Sequence, residues 1–186
     1  VTDHIERFTD TGILLKSGKE LEADIIITAT GLNVQMLGGV EGTIDGKPVE
    51  PRESLVYKGM MLRDVPNMAL VFGYTNSSWT LKADLVCEYV CRLLNHMEKT
   101  GAQTVIPRDK DNCITDENFL GLQSGYIQRA NDRLPRQGSK QPWMVVQNYI
   151  VDMPKLRYGA IDDGILEFDN YQQGKKKGLV ASLLGA

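Results

Sequence analysis

Eight residues, Asp24 to Gly31 (DIIITATG), constrain this chain more than any other stretch. Asp24 leads into Ile25, Ile26 and Ile27, and no polar alternation interrupts the run before Thr28, Ala29, Thr30 and Gly31. An unalternating apolar run of this length predicts a strand buried on both faces, and the small residues after it predict a backbone open to close approach. A second stretch repeats the plan. Met68, Ala69, Leu70, Val71 and Phe72 read as the strand, Gly73 as the break, and a long helix follows from about Thr80 to Met97.

Strand, glycine turn and helix together make a nucleotide-binding geometry. In an open parallel sheet, ligands sit beyond the carboxyl ends of the strands, where glycine admits them and a helix N-terminus offers unpaired N–H groups to anionic atoms. At the helical spacing of about 100° per residue, Trp79, Ala83, Val86, Tyr89, Val90, Leu93, Leu94 and Met97 share one broad face, with Asp84, Glu88, Arg92 and Asn95 opposite. Ser77, Ser78 or Thr80 can cap the first turn, and Gly101 marks the stop. Lys82 breaks the pattern, since it projects on the apolar side and places a cation where the helix dipole prefers an anion. Two readings of it stay open: a packed stem whose ammonium reaches solvent, or an ammonium set against negative charge on a bound cofactor.

The wording of these stretches is distinctive. DIIITATGL and GYTNSSWTLKADL, with Tyr57-Lys58-Gly59, Val65-Pro66-Asn67, Tyr89 to Met97 and Leu134 to Gln147, resemble the C-terminal part of the class B flavoprotein monooxygenases. This is the Baeyer-Villiger and flavin-containing monooxygenase group, here in its ethionamide-activating branch. The resemblance implies an α/β fold with two Rossmann-like dinucleotide-binding domains, of which this chain is a C-terminal fragment that is α+β when taken alone. It implies FAD and NADPH as cofactors, a small-molecule substrate and O2 as partners, and insertion of one oxygen atom into a ketone or its addition to a soft S or N nucleophile. Matching residue by residue, it places Ala29, Thr30, Gly31, Gly73, Tyr74, Thr75, Asn76, Trp79 and Thr80 near the cofactor. Lys82 would then face the flavin's pyrimidine edge, and Trp143 and Tyr149 would line the substrate side. No catalytic residue is expected in the segment itself.

The chain lacks a G-x-G-x-x-G after a strand, which the family needs for each dinucleotide, and it lacks the family's F-x-G-x-x-x-H-x-x-x-[WF] fingerprint. Both lie upstream in the family, so the chain reads as a segment inactive by itself. Residues 1–32 would be strands returning from the NADP domain to the FAD domain, 33–66 a β-rich excursion, 67–107 the last strand and helix of the FAD domain, and 108–186 a C-terminal region of helices and loops. Two other readings remain: a binding module derived from such a flavoprotein, and a segment of a related FAD/NAD(P) reductase.

Ile5 to Phe8 and Gly12 to Leu15 predict a hairpin, and Asp45-Gly46 between Ile44 and Val49 predicts a type I′ turn. Met60 and Met61 suit either a substrate channel or core filling. Cys87 and Cys91, four apart on the long helix, read as small core residues; His96 falls about 180° away and cannot complete a metal site with them. Neither His4 nor His96 has a nucleophile in a recognisable elbow nearby. Asp109, Asp111 and Asp116 depart from a calcium loop, because Cys113 and Ile114 occupy places of an oxygen ligand and the required glycine. Ser124 or Gln123 predicts the start of a short helix ending at Pro135, and Pro142 the start of another running through Trp143, Gln147 and Tyr149 up to Pro154. Arg133, Arg136, Lys140 and Trp143 cluster around Gly138 as either a basic, aromatic lip or a solvated loop. Weak strand potential surrounds Ile165, Leu166 and Phe168, and an apolar patch spans Leu179 to Leu184.

A net charge of -3 argues against nucleic acid, which demands clustered Lys and Arg. No run approaches the roughly 18 apolar residues of a membrane span. Three cysteines, an odd number, suit a reducing compartment and so a cytoplasmic protein. Apolar surface left by absent strands would favour self-association.

Overall fold

The computed structural model describes residues 1–169; the Leu179 to Leu184 patch and the basic run Lys175 to Lys177 lie outside them. The chain forms two compact units, Val1–Leu32 and the part from Asn33 onward. Helices mix with small antiparallel sheets, so the chain is α+β in isolation, as expected.

The first unit is an antiparallel meander of β1 (Ile5–Thr9), β2 (Gly12–Leu15) and β3 (Glu20–Glu22), in that order. The hairpin read from the sequence is present, with Thr9 paired to Gly12. The strand expected at Asp24 to Ile27 is not formed. Ile25 is 80% and Ile27 85% exposed, because no described segment supplies the hydrogen-bonding ladder that a doubly buried strand requires.

In the second unit, β4 (Thr43–Ile44) and β5 (Lys47–Pro48) flank the Asp45-Gly46 turn, whose residues both take positive φ, 51° and 78°, as a type I′ turn demands. The organising element is the hairpin of β6 (Val56–Tyr57) and β7 (Met61–Leu62). Side chains alternate across a strand, so Leu55, Tyr57 and Met61 enter one core cluster while Val56 and Leu62 enter a second. The first cluster is closed by α1 (Trp79–Thr100) through Leu85, Val86, Tyr89 and Leu93, and by Leu156 of α3 (Tyr149–Tyr158). The second is closed by Phe119, Leu120, and Ile127 and Ala130 of α2 (Gly125–Ala130). β8 (Thr104–Pro107) pairs with β11 (Leu166–Asp169), adding Val105 and Leu166 to the first cluster, and β9 (Ile114–Asn118) pairs with β10 (Arg136–Gly138). The weak strand potential near Leu166 is thus realised.

Several expectations are corrected. Residues 68–72 form no strand: one backbone bond, Leu70 N–H to the Met60 carbonyl at 2.7 Å, ties them to the central hairpin. Met68, Leu70 and Phe72 turn inward while Ala69 and Val71 are exposed, so the stretch is buried on one face only. Helix α1 stops at Gly101 in the left-handed conformation, as read, but its buried face is rotated. Leu94 is 58% and Trp79 50% exposed, whereas Lys82 and Leu85 are buried. That rotation puts Cys87 and Cys91 on the exposed side, not in the core. The helix expected from Pro142 starts at Tyr149 instead, because the Asn148 side chain accepts from the N–H groups of Ile150 and Val151, while Pro154 lies inside it. The basic lip does not form: Arg136 and Trp143 are buried, and Arg136 donates to the Asp116 carbonyl and Asn131 Oδ1. Among the described residues no group of three or more His, Cys, Asp or Glu side chains could hold a metal.

The first cluster is fastened to the chain's later part by a polar knot. Tyr57 Oη donates to Asp163 Oδ2 at 2.6 Å and lies 3.0 Å from the Tyr89 hydroxyl, while Lys58 Nζ reaches Asp163 at 3.0 Å and Tyr89 Oη at 3.2 Å. Burial pushes the Asp163 carboxyl up, but donation from Tyr57 and Lys58 outweighs it and leaves the group below its ordinary value. A depressed carboxyl contributes stability that is full above the unfolded value, near pH 4, and fades as pH falls through the folded one. Thermal midpoints of wild type and Asp163→Asn should therefore differ most near neutral pH and converge below about pH 4. Titration with a chromophoric disulfide should show two fast thiols, Cys87 and Cys91, and a slow third, since burial and Asp109 push the Cys113 thiol up.

Candidate functional site

The loop from Gly73 to Ser78 leads directly into the first turn of α1, and its conformation depends on glycine at its start. A Cβ on Gly73 would run into the indole of Trp79. Trp79 lies over this point with its ring 4.7 Å from that of Phe72, and Phe72 meets Phe119 edge-on at 5.0 Å. Ser78 occupies the N-cap position, yet its side chain makes no cap bond and pairs with the Thr80 hydroxyl at 2.8 Å. The capping read from the sequence is therefore absent, and the helix opens on amides without a side-chain acceptor.

Beneath the loop lies an apolar cavity of about 300 Å³. Met60, Leu62, Leu70, Phe72, Trp79 and Phe119 form much of its wall, and no lining residue is ionisable. Gln35 brings the one side-chain amide. Leu37 at its edge holds φ at 51°, a conformation that costs a non-glycine residue about 1 kcal/mol or more. A charged ligand would lose its hydration here without replacement, so the wall selects against ions.

Lys82 is 4% exposed. Its stem passes over Gly59, which takes φ of 74° in the turn of the central hairpin, and a Cβ there would lie 3.5 Å from Lys82 Cε. Its ammonium neither reaches solvent nor stands free: it donates to Asp152 Oδ2 of α3 at 2.6 Å and lies 5.4 Å from the Tyr74 ring centre. Tyr74 Oη donates to the same oxygen at 2.9 Å, and burial together with that carboxylate pushes the phenol well above its ordinary value. Stranding either charge of such a pair costs about 3–5 kcal/mol.

The residues singled out in the sequence separate into groups. Gly73, Tyr74, Thr75, Asn76, Trp79 and Thr80 are contiguous around the loop and the start of α1. Met60 and Trp79 share the cavity, whereas Met61 is fully packed in the first core cluster. Trp143 is 1% exposed and meets Tyr57 edge-on at 5.7 Å, and Tyr149 packs against the same cluster, so neither lines the cavity. Ala29, Thr30 and Gly31 belong to the first unit and are exposed, with Gly31 at φ 92°. Sequence reasoning missed Asp152, Phe72 and Phe119. Only the buried cation at Lys82 signalled that an anion was needed, and nothing pointed seventy residues downstream to it.

By sequence the chain is homologous to a segment of the FAD-containing monooxygenases. It is 52% identical over 169 residues to the probable FAD-binding monooxygenase AlmA of Acinetobacter baylyi. It is 55% identical over 168 residues to the FAD-containing monooxygenase EthA of Mycobacterium tuberculosis, and 52% over 169 to the putative FAD-containing monooxygenase MymA of the same species. Each match covers 90% of this chain and 34% of the relative, so the chain spans about a third of the length of the curated relatives it matches. No family model matches the chain, and no solved structure matches it.

Gly73→Ala should drive the indole off the loop. The expected outcome is a loss of about 1–3 kcal/mol, the cost of overpacking, together with a red shift of Trp79 emission, read against Trp79→Phe to subtract Trp143.

Proposed function

We propose that the chain is the segment of an FAD- and NADPH-dependent monooxygenase that supplies part of the flavin seat and one wall of the substrate side. The observation that carries this reading is identity of 50–55% over nine-tenths of the chain to proteins named FAD-binding or FAD-containing monooxygenases. The residues present suit part of such a cofactor: Gly73 admits close approach, the first amides of α1 lack a side-chain acceptor, and Trp79 offers an aromatic face. They do not make a complete dinucleotide site, because the chain has no glycine-rich fingerprint.

When bound, the flavin supplies the oxygen chemistry, transferring one atom of O2 to a ketone in a Baeyer-Villiger insertion or to a soft S or N nucleophile. This chain's residues bind and orient. The start of α1 would hold the polar edge of such a group, Lys82 stays neutralised by Asp152, and the Met60–Phe72–Phe119 wall would take the uncharged part of a substrate while excluding water. The fragment alone has no turnover. Three unpaired thiols, two of them exposed, fit a reducing, cytoplasmic setting, and among the described residues no helix is long and apolar enough to cross a membrane.

The test uses the polypeptide carrying this chain together with the remaining two-thirds found in its relatives. Loaded with FAD, it should oxidise NADPH with matching O2 uptake when given an apolar ketone or thioether, and yield a product heavier by one oxygen. Phe72→Ala should raise KM for that substrate about tenfold, the loss of one aromatic contact. An FAD-loaded protein that consumes no O2 with either substrate class would sink the proposal.

A further inference from the structure

The loop from Gly73 to Ser78 makes few bonds of its own, yet three successive residues of it are held from one place. Tyr74 Oη donates to Asp152 Oδ2 at 2.9 Å. Thr75 N–H donates to Gln147 Oε1 at 3.0 Å, and Asn76 Nδ2 donates to the Gln147 carbonyl at 2.9 Å. Lys82, one turn into α1, reaches the same Asp152 oxygen at 2.6 Å. All four contacts come from the entry of α3, six residues whose geometry Asn148 fixes by capping the helix. Both members of the ion pair are buried, at side-chain exposures of 6% for Lys82 and 10% for Asp152, so the bond between them is not diluted by water.

We infer that Asp152 and Gln147 are positioning residues which set the loop Gly73–Ser78 and the first turn of α1 from the entry of α3. The inference rests on the reading that this loop faces the flavin. A packing role alone would not require three consecutive loop residues to be met by a side-chain carboxylate, a side-chain amide and a backbone carbonyl of one short segment. Nor would it need Tyr74 and Lys82 to converge on a single oxygen, an arrangement that locks the loop and the helix start to one point. Because the loop makes its contacts through Tyr74, Thr75 and Asn76, Gly73 and Trp79 on either side inherit that placement. A displacement of about 1 Å there is enough to slow a positioned reaction by two orders of magnitude.

The experiment compares Asp152→Asn, Gln147→Leu and Gln147→Glu, first in this chain and then in the FAD-loaded protein. In the chain, acrylamide quenching of Trp79 is read with Trp79→Phe subtracting the buried Trp143. Gln147→Leu is expected to raise Trp79 quenching towards that of a free indole while shifting the thermal midpoint by no more than about 4 °C. Gln147→Glu, which keeps an oxygen acceptor for Thr75, should restore the wild-type value. In the loaded protein, Gln147→Leu and Asp152→Asn should lower kcat about tenfold or more with KM for NADPH unchanged. Asp152→Asn strands Lys82 and is at risk of unfolding, in which case Gln147→Leu decides. Wild-type Trp79 quenching and kcat in Gln147→Leu would overturn the inference, as would a Gln147→Glu variant no better than Gln147→Leu. Should the loaded wild type show no turnover, the functional reading fails and the quenching arm still decides the positioning role.

Discussion

The turn at Lys58-Gly59 lets the chain reverse between Tyr57 and Met61, and most of the second unit is built on that reversal. Both residues hold positive φ, 50° and 74°, a combination that glycine accepts readily and lysine accepts at a cost. The reversal is what brings Leu55, Tyr57 and Met61 to one core and Val56 and Leu62 to another within eight residues. A slip of one position would exchange the two sets, since strand side chains alternate strictly. The turn also has contents: Lys58 lies 4.8 Å from the rings of both Tyr57 and Tyr89, and the Lys82 stem crosses Gly59. Cation–π contacts of this kind offset part of the strain.

From that hairpin two polar connections run outward, and they differ in kind. The Tyr57–Lys58–Asp163 knot joins the turn to the segment before β11 and sits where its side chains are still 13% and 22% exposed. The Lys82–Asp152 pair joins α1 to α3 in a drier setting. Buried pairs seldom add net stability over an apolar replacement, but removing one partner strands the other's charge. Here the pair ties α1 to α3, and Tyr74 ties the loop between Phe72 and α1 to the same Asp152 oxygen.

Local rules made some of this legible in the sequence. Asp45-Gly46 forms its type I′ turn because two adjacent positive φ values are a property of the dipeptide, and Gly101 ends α1 because its left-handed backbone turns its own N–H and that of Ala102 back onto the last carbonyls. The loop from Gly73 to Thr80 is singled out in the sequence only through its resemblance to a family. Rules that need a partner did worse. Asp24 to Ile27 has strand composition but no described neighbour, and Met68 to Phe72 has a single backbone bond, so neither is a strand. Trp143 and Tyr149 share helical spacing with Pro142, but periodicity does not register the Asn148 cap at which α3 begins.

The absence of ionisable groups around the cavity is the step from geometry to chemistry. Its wall draws on residues 70–72, on the hairpin through Met60 and Leu62, and on Phe119 after β9, most of them packed in or against the second core cluster. One side-chain amide, that of Gln35, stands at a lip where Leu37 is held at positive φ. An interior of this kind rewards apolar area at roughly 25 cal/mol per Å² and penalises unpaired charge by several kcal/mol. A small molecule entering such a cavity would be favoured in its neutral over its ionised form. Meanwhile the charges that the sequence places beside it, Lys82 foremost, are neutralised within the fold by Asp152 and do not face the cavity.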